Sequence, residues 1–231
     1  MNPQARAPFD IGQARFNMIE QQIRPWDVLD QDVLDLLGVV KREDFVPAAH
    51  RLIAFADVEI PLKAVGGPGA ERCAMWTPKL EARVLQELSP KAHDTALEIG
   101  AGSGYFAALL AHRCRHVTTV EIVPGLKVFA EKNLRAAAIA NARVALGDGA
   151  RGFGTEQFDI IVLTGSSPVA PPALIDQLRP GGRMFVVTGD APAMRACLHT
   201  RGADGAVSVR TLFETDLAPL VNALNPVRFR F

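Results

Sequence analysis

Apolar and polar residues follow two different periods along this chain. In the first 55 residues the apolar positions recur every three or four residues, which is typical of amphipathic helices. One predicted helix is capped by Asp10 and ends at Pro25, and a second is capped by Asp30. Their apolar faces contain Ile11, Ala14, Met18, Ile19 and Ile23 in the first helix and Val33, Leu36, Leu37 and Val40 in the second. Residues 1 to about 55 are therefore predicted to form a helical extension.

A loop and a third helix follow this extension. Residues 62–72 are rich in glycine and proline, which predicts a flexible loop. Thr77-Pro78 then opens a helix, because threonine favours the N-cap and proline the first helical position. Ser89-Pro90 ends that helix.

From residue 95 onward, short apolar runs alternate with helical stretches. Strands are predicted at 95–99, 116–120, 144–146, 158–163 and 183–187, and helices at 105–111, 124–140 and 171–178. Such alternation predicts an α/β fold with a doubly wound, mostly parallel sheet and helices on both faces. Residues 206–213 and 227–231 could add an edge hairpin. We expect residues 1–75 to form the helical extension with a substrate-side loop, and residues 76–231 to form the ligand-binding domain.

Three alternate glycines follow the first strand of this alternating region. Glu98-x-Gly100-x-Gly102-x-Gly104 places a turn without side chains between a buried strand and a helix N-terminus, where a ligand can touch backbone. The dinucleotide pattern G-x-G-x-x-G would need its third glycine at position 105, which is Tyr105. The observed pattern resembles instead the S-adenosylmethionine (SAM) loop of class I methyltransferases.

The following strands also end in polar residues. Glu121 comes 17 positions after Gly104, and its carboxylate can accept hydrogen bonds from both hydroxyls of a ribose. Asp148 lies between two glycines and can accept from an adenine amino group, and Thr164-Gly165-Ser166-Ser167 is predicted to be a small polar turn. Each could be an ordinary strand end, turn or loop by itself. Their order at successive strand ends favours a SAM site.

Composition and charge narrow the class of protein. The chain has 231 residues, of which 48% are hydrophobic and 22% charged, and 25 basic residues balance 25 acidic ones. This predicts a globular protein that binds neither nucleic acid nor membrane surfaces. We expect a cytoplasmic protein, because no signal peptide or spanning segment is visible and three widely spaced cysteines suit reduced thiols. The cluster from His112 to His116 lacks a second ligand pair, so no metal site is expected.

Several longer motifs resemble the protein-L-isoaspartate O-methyltransferase family over almost the whole chain. The N-terminal ones are Met18-Ile-Glu-Gln-Gln-Ile-Arg24, Arg42-Glu-Asp-Phe-Val-Pro47, Ala54-Phe-Ala-Asp57 and Ile60-Pro-Leu62. The later ones are Leu97-Glu-Ile-Gly-Ala-Gly-Ser-Gly-Tyr105, Gly147-Asp-Gly149, Phe158-Asp-Ile-Ile-Val162 and Gln177-Leu-Arg-Pro-Gly-Gly-Arg183. The resemblance implies a Rossmann-like fold and transfer of a methyl group from SAM to the free α-carboxyl of isoaspartyl residues, which starts protein repair.

The resemblance and the strand ends together define the expected site. The cofactor-binding set is Glu98, Gly100, Ala101, Gly102, Ser103, Gly104, Tyr105, Glu121, Ile122, Gly147, Asp148, Gly149 and Thr164. Asp57, Trp76 and Thr77 are the expected catalytic residues. Asp57 matches a family aspartate near the substrate. Thr77 could instead be only a helix cap, and Trp76 could wall the methyl site or simply pack.

One departure from the family leaves the acceptor open. The family usually carries Gly-Gln-Thr-Ile-Ser-x-Pro, whose serine lies at the substrate carboxylate. Counting back from Pro78, this chain has Arg72-Cys-Ala-Met-Trp-Thr-Pro78, so Trp76 stands where the serine should be. The expected partner is a damaged protein or peptide, and the expected oligomeric state of the chain is a monomer or homodimer. The alternatives are a small-molecule acceptor, another protein group, or SAM binding without turnover.

Overall fold

The computed structural model describes residues 9–225, and its N-terminal part is helical as predicted. Helix α1 (Ile11–Met18) begins at Asp10, whose side chain accepts a hydrogen bond from the Gln13 N–H at 3.0 Å. It continues through a π-helical turn (Ile19–Ile23) and a 3₁₀ turn (Arg24–Trp26). Pro25 therefore lies inside the last turn instead of beyond it.

The second predicted helix and its cap are also present. Helix α2 (Gln31–Val39) begins at Asp30, whose side chain accepts a hydrogen bond from the Asp32 N–H at 2.9 Å. Val33, Leu36 and Leu37 are buried, as the helical period predicts. Two 3₁₀ turns follow, Arg42–Asp44 and Ala48–Ile53.

The segment predicted to be a flexible loop has regular structure. Strand β1 (Ile60–Pro61) pairs antiparallel with β2 (Ala74–Met75), and helix α3 (Lys63–Gly66) lies between them. The Leu62 N–H also donates to the Cys73 carbonyl at 2.9 Å. Both ends of the loop are thus held together by backbone hydrogen bonds, which a glycine count does not predict.

The remaining elements build the predicted α/β domain. They are α4 (Pro78–Leu88), β3 (Thr95–Ile99), α5 (Tyr105–Arg113), β4 (His116–Glu121), α6 (Pro124–Ala136), β5 (Ala142–Leu146), β6 (Phe158–Ser167), α7 (Pro172–Asp176), β7 (Leu178–Asp190), β8 (Ala193–Arg201) and β9 (Val207–Thr215). The sheet order is β5-β4-β3-β6-β7-β8-β9. The first five strands in this order are parallel to one another, and β8 pairs antiparallel with both β7 and β9. The doubly wound, mostly parallel sheet is therefore confirmed.

Three strands differ from the prediction. β8 was not predicted, because its alanines, cysteine and histidine have weak strand propensity and its pairing with β7 and β9 decides its conformation. β9 covers the predicted strand at 206–213 but pairs with β8. The predicted partner at 227–231 lies outside the described residues. The prediction of a turn at Thr164–Ser167 is wrong, because these residues extend β6 beyond the end of β3.

The core lies on both faces of the sheet but unequally. Along β6, Ile160 and Val162 pack with the N-terminal helices and with α4, α5 and α6. Ile161 and Leu163 point to the other face, which only the short helix α7 covers within the described chain. Helices on both faces are therefore confirmed, and most of the helical mass lies on one of them.

Candidate functional site

A cavity of about 360 Å³ opens at the carboxyl ends of β3, β4, β5 and β6. This is the edge where an open, parallel α/β sheet binds its ligand, close to the point at which the strand order reverses between β3 and β6. Nine of the predicted residues line it: Trp76, Gly100, Gly102, Glu121, Ile122, Gly147, Asp148, Gly149 and Thr164. Residues from four strand ends, far apart in sequence, therefore face one space.

The glycine loop between β3 and α5 takes a conformation that suits glycine. Gly100 and Gly102 have φ values of +101° and +52°, in the left-handed region. A Cβ atom on Gly100 would overlap the Thr164 hydroxyl. That hydroxyl lies 2.8 Å from the Ile99 carbonyl oxygen and 2.6 Å from that of Gly100, and it can donate to either. Thr164 thus holds the start of the loop against β6.

Glu121 at the end of β4 faces the cavity and is held by backbone. One carboxylate oxygen accepts from the Gly102 N–H at 2.9 Å and the other from the Val123 N–H at 3.0 Å. Burial raises the pKa of Glu121, and these backbone hydrogen bonds oppose the shift. The backbone N–H groups of Ile122 and Ala101 oppose the shift as well, so the carboxylate lies among four backbone donors while it faces the cavity.

Asp148 closes another side of the cavity together with the C-terminal segment. Its carboxylate accepts from the Ala150 N–H at 3.0 Å and from the Asn222 side-chain amide at 2.8 Å. Residues 217–221 line the same cavity, and the Leu220 N–H donates to the Ser166 carbonyl at 2.9 Å. The chain beyond β9 therefore returns to the sheet and forms a wall of the site.

A second, smaller cavity of about 40 Å³ lies behind the glycine loop. Glu98 and Tyr105 line it and are each only 1% exposed. Neither carboxyl oxygen of Glu98, nor the Tyr105 hydroxyl, has a hydrogen-bond partner among residues 9–225. Burial raises the pKa of Glu98 to about 8, although the adjacent Thr119 hydroxyl opposes the shift. A buried carboxyl group without a partner is costly, so this group is available for a polar ligand atom.

Trp76 lies where the two cavities adjoin. Its side chain lines both of them, is 6% exposed, and makes edge contacts with the rings of Phe106 and Phe185 at 5.6 and 6.0 Å. The Trp76 carbonyl accepts from the buried guanidinium of Arg42, which is also paired with Glu81. Trp76 is thus a packed core residue that also walls the site.

Three predicted residues do not line either cavity. Thr77 occupies the N-cap position of α4, but its side chain makes no capping hydrogen bond. Asp57 is paired with Lys79 at 2.6 Å. Gly104 begins α5 with a φ of +82°, and a Cβ there would lie 3.2–3.3 Å from Ala130 of α6. Gly104 therefore serves the close packing of two helices.

Other predicted residues lie at the inner cavity. Ala101 and Ser103 line it together with Gly100, Gly102 and Thr164. The Ser103 hydroxyl accepts from the Tyr105 N–H at 3.3 Å, which closes the loop onto the first turn of α5. Of the predicted glycine-loop residues, Gly100 and Gly102 thus line both cavities, and Ala101 and Ser103 line the inner one alone.

Sequence reasoning expected a substrate-side loop within residues 1–75 but named none of its lining residues, and it missed the C-terminal segment that lines the large cavity. Glu59, Glu71, Arg72 and Cys73 line it from the β1–β2 segment, and residues 217–221 line it from the C-terminal segment. Arg72 and Cys73 lie just before Trp76 in the altered motif, and this position was the one sequence feature that could have identified them as site residues. The C-terminal segment carries no local pattern that marks it as a wall.

Two general features complete the description of the site. Across residues 9–225 there is no group of three or more His, Cys, Asp or Glu residues that could hold a metal ion. Every helix in that range is too short or too polar to cross a membrane. The polar groups that line the large cavity are four carboxyl groups, the Arg72 guanidinium, the Cys73 thiol, the Thr164 hydroxyl and backbone groups, together with the Trp76 indole ring.

Known proteins match the chain over most of its length. The family model for protein-L-isoaspartate(D-aspartate) O-methyltransferase matches residues 13–225. A protein-L-isoaspartate O-methyltransferase of Methanoculleus marisnigri is 37% identical over 76% of this chain and 77% of its own length. One from Hyperthermus butylicus is 32% identical over 96% of this chain and 94% of its own length.

A solved structure supports the fold independently. The crystal structure assigned to a protein-L-isoaspartate O-methyltransferase of Plasmodium falciparum, in complex with S-adenosyl-L-homocysteine, superposes with a TM-score of 0.75. It is 18% identical and covers 92% of this chain and 99% of that chain, so the likeness concerns the fold. Together with the family match over residues 13–225, these findings show that the chain belongs to the protein-L-isoaspartate(D-aspartate) O-methyltransferase family.

Proposed function

We propose that this protein transfers the methyl group of SAM to the free α-carboxyl group of isoaspartyl residues in damaged proteins or peptides. Family membership supports the reaction class. The observation that carries the proposal is one continuous cavity, which runs from the strand-end residues Gly100 and Glu121 to Trp76 and the β1–β2 segment. A cofactor and an acceptor can therefore meet in a single space.

The residues present suit SAM. The Glu121 carboxylate faces the cavity and would accept hydrogen bonds from the ribose hydroxyls, and Asp148 can exchange its Asn222 contact for an adenine amino group. The unpartnered Glu98 carboxyl would bind the ammonium group of the methionine part, which would relieve the cost of its burial. When bound, SAM supplies an electrophilic methyl group on a positively charged sulfur.

An acceptor carboxylate would need no histidine or lysine as a general base. A carboxylate is already ionised at neutral pH, so the protein has to position it in line and exclude water. None of the described residues that line the cavity is a histidine or a lysine. Trp76 excludes water from one side by filling the space between Phe106 and Phe185.

We also propose a division of labour along the chain. Residues 1–75 would supply the acceptor side through the β1–β2 segment, and residues 76–231 would supply the cofactor side. The two parts share one apolar core, in which Met18 and Leu37 pack in the same cluster as Leu85 and Leu134. The acceptor side is therefore held by the same packing that holds the cofactor side.

The direct test uses SAM labelled on the methyl group. The protein is incubated with an isoaspartyl peptide and, separately, with the matching aspartyl peptide. The proposal expects methyl esters on the isoaspartyl peptide alone, and fewer of them with a Glu121→Ala variant at a SAM concentration below saturation. Absence of selective methylation by the wild-type protein would refute the isoaspartyl assignment.

A small molecule is the second candidate acceptor. Trp76, which replaces the serine usual in the family, favours it. Methylation of a small-molecule panel, with no methylation of the isoaspartyl peptide, would assign the protein to that acceptor class. Tight binding of S-adenosylhomocysteine with no turnover on any acceptor would indicate a binding protein that has lost catalysis. Turnover on the panel separates these two outcomes, and calorimetry on the same preparation measures the cofactor binding that both require.

A further inference from the structure

We infer that Arg72 binds the acceptor carboxylate and replaces the hydroxyl lost at position 76, an inference that rests on the proposed function. Arg72 lines the large cavity and is exposed, so an incoming peptide can reach it. It lies four positions before Trp76, on the segment that carries the altered motif. The guanidinium group would act on the acceptor and not on the cofactor.

Charge in the cavity singles out this residue. The lining contains four acidic side chains, Glu59, Glu71, Glu121 and Asp148. Among the described residues that line it, Arg72 is the sole basic one. An acceptor that carries a negatively charged carboxylate has to pass these four acidic side chains. Arg72 is the group that would offset their electrostatic repulsion.

The Arg72 guanidinium is free to take a ligand. Within residues 9–225 its side chain has neither an ion pair nor a hydrogen bond, although two carboxylates line the same part of the cavity. Glu71 accepts instead from the Gly69 N–H at 3.2 Å. Partial desolvation of Glu59 and the nearby carboxylate of Asp216 both raise the pKa of Glu59. A planar guanidinium without a partner matches a carboxylate in bidentate geometry.

The backbone around Arg72 is held in place. The Cys73 N–H donates to the Ala70 carbonyl at 3.1 Å, and the Cys73 carbonyl accepts from the Leu62 N–H at 2.9 Å. Directly after it, β2 pairs with β1. The side chain therefore projects from a fixed position at the mouth of the cavity, which reduces the entropy lost when it binds.

The test measures peptide binding and turnover with two substitutions. Arg72→Gln removes the charge, and Arg135→Gln removes an exposed arginine of α6 that lines neither cavity. Each variant is titrated, in complex with S-adenosylhomocysteine, with an isoaspartyl peptide and with the same peptide in which the isoaspartyl α-carboxyl is an amide. We expect the wild type and Arg135→Gln to prefer the carboxylate peptide by about 10- to 100-fold.

Arg72→Gln should lose that preference while its affinity for S-adenosylhomocysteine stays unchanged. Its KM for the isoaspartyl peptide should rise by a similar factor. Arg72→Lys should recover part of the loss, because lysine keeps the positive charge but cannot bind a carboxylate through a planar, bidentate guanidinium. If Arg72→Gln keeps the carboxylate preference of the wild type, the inference about Arg72 is overturned. The proposed function still stands in that case, provided that the wild type methylates the isoaspartyl peptide. A wild type that neither binds nor methylates the isoaspartyl peptide would refute both.

Discussion

The backbone N–H of Gly102 donates a hydrogen bond of 2.9 Å to the carboxylate of Glu121. This contact joins the glycine loop after β3 to the end of the neighbouring strand β4, and the Val123 N–H holds the other carboxylate oxygen. The same carboxylate therefore shapes the loop and faces the cavity. Under the proposed function, loop geometry and ribose binding would be coupled at this one side chain.

Replacing Glu121 by alanine should weaken the binding of S-adenosylhomocysteine by roughly 1–3 kcal/mol, because two ligand hydroxyls lose a charged acceptor. Isothermal titration calorimetry measures the change. Glu121→Gln should show a smaller loss, since one acceptor oxygen remains. Glu156→Ala is the control, because Glu156 is exposed and does not line the cavity. Equal affinities for wild type and Glu121→Ala would contradict the proposed ribose contact.

Replacing Gly102 by valine should abolish cofactor binding. Gly102 has a φ of +52°, which a β-branched residue rarely adopts, and its new Cβ would lie 3.3 Å from the Leu62 side chain. The loop would have to move and lose its contact with Glu121. Binding is measured by calorimetry, and circular dichroism shows that the variant is folded.

Gly38 of α2 provides the matched glycine control. A Cβ there meets no atom within 4 Å, so Gly38→Ala should keep full cofactor affinity and raise the free energy of unfolding by up to about 1 kcal/mol. A folded Gly102→Val protein with wild-type affinity would place the cofactor elsewhere.

Cofactor binding should release a proton from Glu98. The pKa of about 8 means that the free protein holds this carboxyl group mostly protonated at pH 7. A bound ammonium group stabilises the ionised form and lowers the pKa, so binding at pH 7 releases up to about one proton. Affinity should accordingly rise as the pH approaches 8.

Calorimetry in two buffers of different ionisation enthalpy counts the released protons. Glu98→Gln is the matched variant, because it keeps the size of the side chain and cannot ionise. It should release no proton and bind with an affinity that does not rise in this pH range. Equal proton counts for the variant and the wild type would show that another group titrates.

Restoring a serine at position 76 should destabilise this protein. The Trp76 ring packs against Phe106 and Phe185, so Trp76→Ser leaves a large space and should cost about 3–5 kcal/mol of unfolding free energy. Trp76→Phe should cost less, because an aromatic ring remains. Urea denaturation measures both. A cost below about 1 kcal/mol for Trp76→Ser would mean that the ring is not part of the core.

Much of the cofactor side could be predicted from local pattern. A buried strand followed by alternate glycines predicts a turn and a helix start, because glycine adopts the positive φ of Gly100 and Gly102 without steric cost. Glu121 and Asp148 could be assigned to one site because parallel strands place their carboxyl ends at a common edge. These arguments use residues close together in sequence and one rule of sheet topology.

The acceptor side was decided by the tertiary structure. Arg72 reaches the cavity because β1 pairs with β2, and residues 217–221 reach it because the chain returns to Ser166 after β9. Such contacts join segments far apart in sequence, and no hydrophobic period records them. The sequence by itself determined the fold class and the residues at the strand ends. Only long-range packing decided which loops enclose them, because loop positions depend on the whole core and not on local propensity.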